Sequence, residues 1–333
     1  MSEPIIAVVG ASGVVGRQVV QGLLMRDHPA DHVRAFASER GAGEELDFGD
    51  DSIVIEKYGD DSLRGANVVI VAAPPEVARP VAERAQALGL WVVDLSGSFR
   101  VDDKVPLVVP GVNDGVLDRP FPGRIVSLAH ASTQAFTRAL EPLRAAFGLL
   151  FADATVLCGS AVYGSPGVAQ LSKQTAELMN AKDPDLEVFP HRLGFNVIPS
   201  VGAIEGGLSQ QERALLIETA RVWGGEKMPA VTTTSVLVPT YHGFTLVLSA
   251  HLARRADADG VRAVLKADSG LKLLYEPAEN IYPMPMLATD DATVHVGRVR
   301  VLGERVQLVA AIDNAFRTAD AALDIAFELA DRD

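Results

Sequence analysis

Glycines occur in this chain where a nucleotide-binding turn would need them. Residues 10–16 have the sequence GASGVVG, a G-x-x-G-x-x-G spacing, between the β-branched run at 5–9 and a segment of helical periodicity. Glycine lets the backbone turn tightly and approach a pyrophosphate, whose charge the amides at the start of the next helix hold. Ordinary strand–helix connections also contain such glycines, but in this context the motif predicts a dinucleotide site.

The end of the second predicted strand, residues 33–37, should lie near the adenosine ribose. Ser38, Glu39 and Arg40 follow it directly. Ser38 can donate a hydrogen bond to a phosphate and Arg40 can engage one with a fork of N–H donors, which favours NADP over NAD. Two alternatives stay open, because Arg40 is also compatible with a solvated surface position and Glu39 with a contact to the ribose of NAD.

Strands and helices alternate through the first part of the chain. We predict strands at 5–9, 33–37, 67–72 and 90–95, with helices beginning near 15 and spanning 76–88. Continuously apolar strands separated by helices predict a parallel sheet covered on both faces.

The pattern changes after about residue 125. Helices are predicted at 133–147, 168–180, 209–222 and 318–329, and strands at 154–158, 231–239, 245–252, 292–301 and 306–313. Few helices separate the later strands, which predicts a mixed or antiparallel sheet.

The composition limits the class of protein. The 333 residues are 48% hydrophobic and 22% charged, which is enough for two domains with sizeable cores. The net charge of −13 argues against nucleic-acid binding, no apolar run approaches the roughly 20 residues of a membrane span, and the N-terminus lacks a basic signal segment. The single cysteine, Cys158, fits a reducing compartment. We expect a cytoplasmic protein with a small-molecule ligand, no membrane partner and, without Cys and His at metal-binding spacing, no metal.

Short segments along nearly the whole chain form a consistent series. They are GASGVVG at 10–16, ASERGAG at 37–43, DLSGSFR at 94–100, VPLVVPGVN at 105–113, AVYG at 161–164, FNVIP at 195–199, VGR at 296–298 and DN at 313–314. In this order they resemble the aspartate-semialdehyde dehydrogenase family. The stretch QTAELMN at 174–180, with FN at 195–196, is similar to its Usg-like branch.

The resemblance implies an α/β fold with two domains. Residues 1–128 would form a Rossmann-type dinucleotide-binding domain, and 129–317 an α+β dimerisation and catalytic-type domain, with the C-terminal helix at 318–333 packed back on the first. It also implies a homodimer and an NADP-dependent oxidoreductase acting on an aldehyde in amino-acid biosynthesis. The predicted cofactor-binding residues are Gly10, Ser12, Gly13, Val14, Val15, Ser38, Arg40 and Ala73.

The family's chemistry depends on a cysteine thiolate, which attacks the aldehyde, and on a histidine base. Its N-C-S-T motif corresponds here to HAST at 130–133, so Ala131 stands at the nucleophile position. Phe244 stands at the position of the histidine. Because neither side chain can perform these roles, we expect a pseudoenzyme that keeps its NADP site.

Of the family's other ligand-binding positions, two keep the family's residue type in this chain and three do not. Arg100 matches a phosphate-binding arginine, although a surface arginine beside the two aspartates that follow it is the alternative, and Glu212 matches a substrate-binding glutamate. Gly111, Ser160 and Ala214 replace an acidic residue, a glutamine and a lysine. These changes argue against aspartate semialdehyde as the substrate.

Two active alternatives stay open. Direct hydride transfer to a carbonyl needs a proton donor, for which His130, His242 and Tyr241 are candidates. His242 would lie on the same strand and face as position 244 unless a bulge at Gly243 intervenes, and an ordinary strand or turn histidine is the favoured alternative. Cys158 is the candidate for a relocated nucleophile of an active aspartate-semialdehyde dehydrogenase, against the commoner buried structural cysteine.

Overall fold

The computed structural model describes residues 3–225 and 228–332. Within them the chain divides into two compact units. The first runs to His130 and resumes at Ala315, and the second spans Ala131–Asn314. Each unit has its own large sheet.

The first unit is built on an eight-stranded sheet. Its strands are β1 (Ile6–Val9), β2 (Val33–Ala37), β3 (Glu45–Phe48), β4 (Asp51–Lys57), β5 (Val68–Val71), β6 (Trp91–Asp94), β7 (Leu107–Val108) and β8 (Ile125–Leu128). Their order is β3-β4-β2-β1-β5-β6-β8-β7. Every neighbouring pair is parallel except β3 with β4. The predicted parallel sheet is therefore confirmed.

Helices cover both faces of this sheet. Alternate residues of β1 enter two different cores, one shared with α1 (Val14–Leu24) and the other with α2 (Pro75–Ala87). Ile6 and Val8 belong to the first core, whereas Ala7 and Val9 belong to the second. Burial on both faces explains why the strand is apolar throughout rather than alternating.

The second unit contains a six-stranded mixed sheet. Its helices are α3 (Ala131–Phe147), α4 (Gly164–Met179), α5 (Gln210–Trp223) and α6 (Ala258–Ala267). Its strands are β9 (Leu149–Cys158), β10 (Ile204–Glu205), β11 (Leu208–Ser209), β12 (Ala230–Leu237), β13 (Phe244–Leu252), β14 (Leu271–Leu273), β15 (Val294–Leu302) and β16 (Arg305–Ile312). The sheet order is β12-β9-β13-β16-β15-β14, with β10 and β11 forming a separate hairpin. The predicted mixed sheet is confirmed.

One face of the second sheet packs on helices and the other is open. Along β13, burial alternates from residue to residue, and α3 contacts its covered side. Val247 on β13 is 45% exposed, and Phe151, which pairs with His251, is 37% exposed. Large apolar side chains therefore stand on the open face.

The last helix, α7 (Asn314–Ala330), is longer than the predicted 318–329 and packs in the first unit. Its buried residues Ala322 and Leu323 join the core shared with β1 and α1. Helices α1 and α7 approach closely, since a Cβ on Gly22 would lie 2.7 Å from a methyl of Leu323. Arg26, which follows the C-cap of α1, donates to the carboxylate of Asp320 at 2.6 Å and so links the end of α1 to α7.

Candidate functional site

The glycine turn between β1 and α1 is fixed by close backbone contacts. Gly10 has φ +96° and donates its N–H to the carbonyl oxygen of Phe36 at 2.8 Å. A Cβ on Gly10 would lie 2.5 Å from the carbonyl oxygen of Ala72, and one on Gly16 would lie 2.1 Å from that of Gly10. Both distances are below van der Waals contact, so only glycine fits without a backbone shift.

The N-terminus of α1 follows the turn directly. Its N-cap is Gly13, which has no side chain to satisfy the first N–H groups of the helix, beginning with Val14 and Val15. Arg17, one turn further, donates its Nε–H to the carbonyl oxygen of Ser12 at 3.1 Å and so holds the turn. Amides at such a helix end are suited to an anionic ligand such as a pyrophosphate.

A cavity of about 320 Å³ opens beside the turn. Of the predicted cofactor residues, those lining it are Gly10, Ser12, Gly13, Ser38 and Ala73. Arg40 is exposed and is not part of the lining. A mostly apolar slot with backbone amides and a hydroxyl at its edge has the size and chemistry for part of a dinucleotide, so the residues present fit such a group.

Among the lining residues that the sequence prediction missed, Lys57 and Tyr58 have polar side chains. Lys57 and Tyr58 come from the end of β4, where the Tyr58 N–H donates to the carbonyl oxygen of Ala37 at 2.8 Å. The Lys57 ammonium lies 2.9 Å from a carboxylate oxygen of Glu39, which also lines the cavity. The Tyr58 hydroxyl is buried without a hydrogen-bond partner among the residues that the structure describes, and burial raises its pKa.

The predicted nucleophile position is the first residue of α3. Ala131 is 5% exposed, and Ser132 beside it is fully buried. Gln211, the second residue of α5, donates its side-chain amide to the Ser132 hydroxyl at 2.6 Å. Gln211 was not among the predicted site residues, and its closeness to residue 132 depends on the packing of α3 against α5.

The predicted base position lies opposite the single cysteine. Phe244, the first residue of β13, is 1% exposed and pairs in register with Cys158 at the end of β9. Cys158 is fully buried, and burial raises the pKa of its thiol to about 12. The thiol lies 3.8 Å from the carbonyl oxygen of Val156, a contact to its own strand. At neutral pH the sulfur is therefore protonated and shielded.

The prediction that His242 shares a strand with position 244 is wrong. His242 and Tyr241 are exposed and lie in the bend between β12 and β13, which begins only at Phe244. Gly243 causes the break, since its φ is +81° and a Cβ there would lie 2.6 Å from Pro285. Strand alternation therefore does not relate the side chains of His242 and Phe244.

His130 is the residue at which the chain leaves the first unit, and the charge of Arg100 acts on it. Arg100 donates to the carbonyl oxygens of Leu95 and Leu128, each at 2.9 Å. Burial, and next the charge of Arg100, lower the pKa of His130 to about 3. His130 is consequently neutral at physiological pH, and the Arg100 guanidinium already has two backbone partners.

Glu212 and Gly111 have local structural partners. The Glu212 carboxylate accepts the N–H of Ser209 at 2.6 Å, completing a capping box at the start of α5, and the N–H of Ser235 at 2.8 Å. Gly111 has φ +77°, and its N–H donates to the Asp114 carboxylate at 2.9 Å. Helix capping thus accounts for Glu212, and the backbone conformation favours glycine at 111.

Over residues 3–225 and 228–332, no group of three or more His, Cys, Asp or Glu side chains is arranged to hold a metal ion. None of the helices in the same ranges combines the length and apolar character that crossing a bilayer requires.

Comparison with known proteins covers most of the chain. Residues 5–119 match the family model described as semialdehyde dehydrogenase, NAD binding domain, and residues 140–317 match the one described as semialdehyde dehydrogenase, dimerisation domain. An aspartate-semialdehyde dehydrogenase of Aquifex aeolicus is 30% identical over 89% of this chain and 87% of its own length. A USG-1 protein homolog of Pseudomonas aeruginosa is 31% identical over 90% and 89% of the two chains. The crystal structure of aspartate semialdehyde dehydrogenase II complexed with ASA, from Vibrio cholerae, has a TM-score of 0.92 at 26% identity, covering 100% of this chain and 99% of that one.

Proposed function

Because the chain belongs to the semialdehyde dehydrogenase family, we propose that it is an NADP-binding member that has lost the family's covalent catalysis. The observation that carries the proposal is Ala131 at the start of α3, where the family resemblance places the cysteine nucleophile. A methyl group cannot attack an aldehyde, so the covalent intermediate has no residue to form on at this position.

The cofactor part of the proposal rests on the first unit. Its turn admits only glycine at Gly10 and Gly16, and the cavity beside it fits part of a dinucleotide. A bound nicotinamide dinucleotide would supply hydride chemistry, while the chain contributes the amides of α1 and the lining of the cavity. Ser38 and Lys57 at the cavity favour a phosphorylated ribose, and hence NADP.

Cys158 is poorly suited to replace the lost nucleophile. Its thiol is fully buried, faces Phe244 across the strand pair and has a pKa raised to about 12. Nucleophilic attack requires the thiolate and access to the substrate, and burial opposes both. A relocated thiol is therefore less well supported than the loss of covalent catalysis.

Direct hydride transfer to a carbonyl has weak support from the candidate proton donors. With a pKa of about 3, His130 carries no ionisable proton to donate as an acid at neutral pH. His242 and Tyr241 are exposed in a bend, where water competes for the same proton transfers. These observations favour a silent site over altered catalysis.

We propose further that the protein is a homodimer through the open face of its second sheet. This unit matches a family model described as a dimerisation domain. Phe151 and Val247 expose apolar surface on that face, which a second copy would cover. Val247→Lys should shift the protein from dimer to monomer in analytical ultracentrifugation, whereas Val54→Lys, at an exposed position of β4, should leave the dimer intact.

Two measurements on the full chain test the catalytic proposal. Calorimetric titration with NADP⁺ should give saturable binding, and phosphate-dependent reduction of NADP⁺ by aspartate semialdehyde should not exceed the rate without protein. Turnover that Cys158→Ser abolishes would reveal a relocated nucleophile and overturn the proposal. Absence of binding to either NADP⁺ or NAD⁺ would overturn its cofactor part.

A further inference from the structure

We infer that Lys57 selects for the 2′-phosphate of the nucleotide, by contacting that phosphate and by neutralising Glu39. The inference rests on the proposed NADP function. Of the described residues that line the cavity, the charged ones are Lys57 and Glu39, and they form an ion pair with 2.9 Å between Nζ and Oε2. Selection between ligands that differ by one phosphate must depend on charged groups of this kind.

Strand pairing places Lys57 beside the end of β2. Residues 35–37 of β2 pair in parallel with 55–57 of β4, and Ala37 lies next to Lys57. The following hydrogen bond, from the Tyr58 N–H to the Ala37 carbonyl at 2.8 Å, extends this pairing to the cavity. The ammonium of Lys57 is thus held next to Ser38 and Glu39, where an adenosine ribose is expected in a dinucleotide-binding sheet.

Glu39 alone would favour NAD over NADP. A carboxylate at the end of the second strand accepts hydrogen bonds from ribose hydroxyls and repels a phosphate, which is the arrangement of an NAD site. The ammonium at 2.9 Å compensates that negative charge. When a 2′-phosphate is present, Lys57 can exchange the carboxylate for the phosphate, and the Ser38 hydroxyl can donate to it.

The neighbouring arginines are less well placed for this role. Arg17 donates to the Ser12 carbonyl and forms an ion pair with Glu44, so its guanidinium is already engaged. Arg40, which the sequence favoured, lies outside the cavity lining, whereas Lys57 belongs to it. The structure therefore assigns the selective charge to Lys57 rather than to Arg40.

Titration of the full chain with 2′,5′-ADP and 5′-AMP isolates the contribution of this phosphate. Lys57→Gln should weaken 2′,5′-ADP about tenfold and leave 5′-AMP nearly unchanged, as expected for one charge-assisted contact. Lys57→Arg should retain most of the 2′,5′-ADP affinity, and Glu39→Gln should increase it. Lys104→Gln, an exposed lysine of the same unit, is the matched control and should change neither affinity.

The opposite results separate this inference from the proposed function. Wild-type binding of 2′,5′-ADP that Arg40→Gln weakens and Lys57→Gln does not would overturn the role of Lys57 while leaving cofactor binding intact. Weaker 5′-AMP binding in Glu39→Gln would identify Glu39 as a ribose ligand of an NAD site and would also overturn it. Failure of the wild-type chain to bind either nucleotide or either dinucleotide would overturn the proposed cofactor function itself.

Discussion

The glycine turn of the first unit and the predicted nucleophile position of the second place different demands on their residues. At the turn, carbonyl oxygens occupy the space where side chains of Gly10 and Gly16 would stand. At the start of α3, Ala131 is a small buried helix residue, and the neighbouring Ser132 hydroxyl accepts a hydrogen bond from Gln211. The fold itself requires the glycines, whereas only chemistry requires a thiol at 131. The fold therefore allows the proposed combination of an intact nucleotide site with altered reactive residues.

The largest expected effect is a change at the turn. Gly16→Ala would put a methyl group 2.1 Å from the Gly10 carbonyl oxygen and 2.7 Å from the Ala11 Cα. Relief requires a shift of β1 against α1, so we expect a loss of about 3 kcal/mol in the free energy of unfolding. Nucleotide binding should fall below detection. Urea denaturation and calorimetric titration with NADP⁺ measure the two effects.

Gly115→Ala is the matched control for this change. A Cβ on Gly115 would meet no atom within 4 Å, and the residue belongs to the same unit. Its stability and NADP⁺ affinity should stay at the wild-type values. If Gly16→Ala bound NADP⁺ as tightly as this control, the turn would not be fixed by backbone contact and the comparison would fail.

The sequence predicted the turn well because its determinants are local. A β-branched strand, spaced glycines and a periodic helix lie within twenty residues, and β2 was predicted with the bounds Val33–Ala37 that the structure shows. Lys57 and Tyr58 could not be found this way, since their place depends on the pairing of β2 with β4. Strand β4 also has exposed charged residues at both ends, which obscured its alternating pattern.

In the second unit, local sequence patterns misplaced one residue, and one signal that was present in the sequence was not used. Strand alternation was used to relate His242 to position 244, but Gly243 has a left-handed conformation and β13 begins only at Phe244. For Glu212, the signal was present in the sequence, because Ser209 and Glu212 have the S-x-x-E spacing of a capping box. The family resemblance suggested that Glu212 binds a ligand, whereas its part in the capping box at the start of α5 explains why a glutamate occurs there. The contact of Gln211 with Ser132 needs the tertiary packing of two helices.

A histidine introduced at the predicted base position tests whether the second unit differs from an active enzyme only at single residues. Phe244→His replaces a buried ring, 1% exposed, with a smaller polar one opposite Cys158. We expect the free energy of unfolding to fall by roughly 2.5 kcal/mol from lost apolar contacts and an imidazole in an apolar site. The double variant Ala131→Cys with Phe244→His should still show no phosphate-dependent NADP⁺ reduction, since Gly111 and Ala214 also depart from the family pattern.

Phe244→Leu separates the destabilisation caused by a buried polar imidazole from that caused by the smaller side-chain volume. Leucine keeps an apolar side chain, so the free energy of unfolding of this variant should fall by no more than about 1.5 kcal/mol, measured by urea denaturation.

Turnover by the double variant Ala131→Cys with Phe244→His, above that of Ala131→Cys alone, would contradict the prediction that the double variant is inactive. In that case the predicted catalytic region would differ from an active one by two residues only. It would then be nearly as well preserved as the glycine turn.

The smallest expected effect concerns His130, which stands where the two regions meet in the chain. Its folded-state pKa of about 3 lies below the value of about 6.5 expected in the unfolded chain. Between these values the unfolded state binds a proton that the folded state does not, so stability is lost as the pH falls below 6.5. At pH 5 this loss should reach about 2 kcal/mol relative to pH 7.5.

His130→Asn removes the titrating group, so its stability should decline less between pH 7.5 and pH 5 than that of the wild type. The difference between the two declines, measured by urea denaturation at each pH, is expected to be about 2 kcal/mol. His191→Asn, at an exposed position of the second unit, should follow the wild-type profile. Equal acid sensitivity of wild type and His130→Asn would mean that His130 can be protonated in the folded protein. It would then be available as a proton donor beside Ala131, and the case for a silent catalytic region would lose one of its supports.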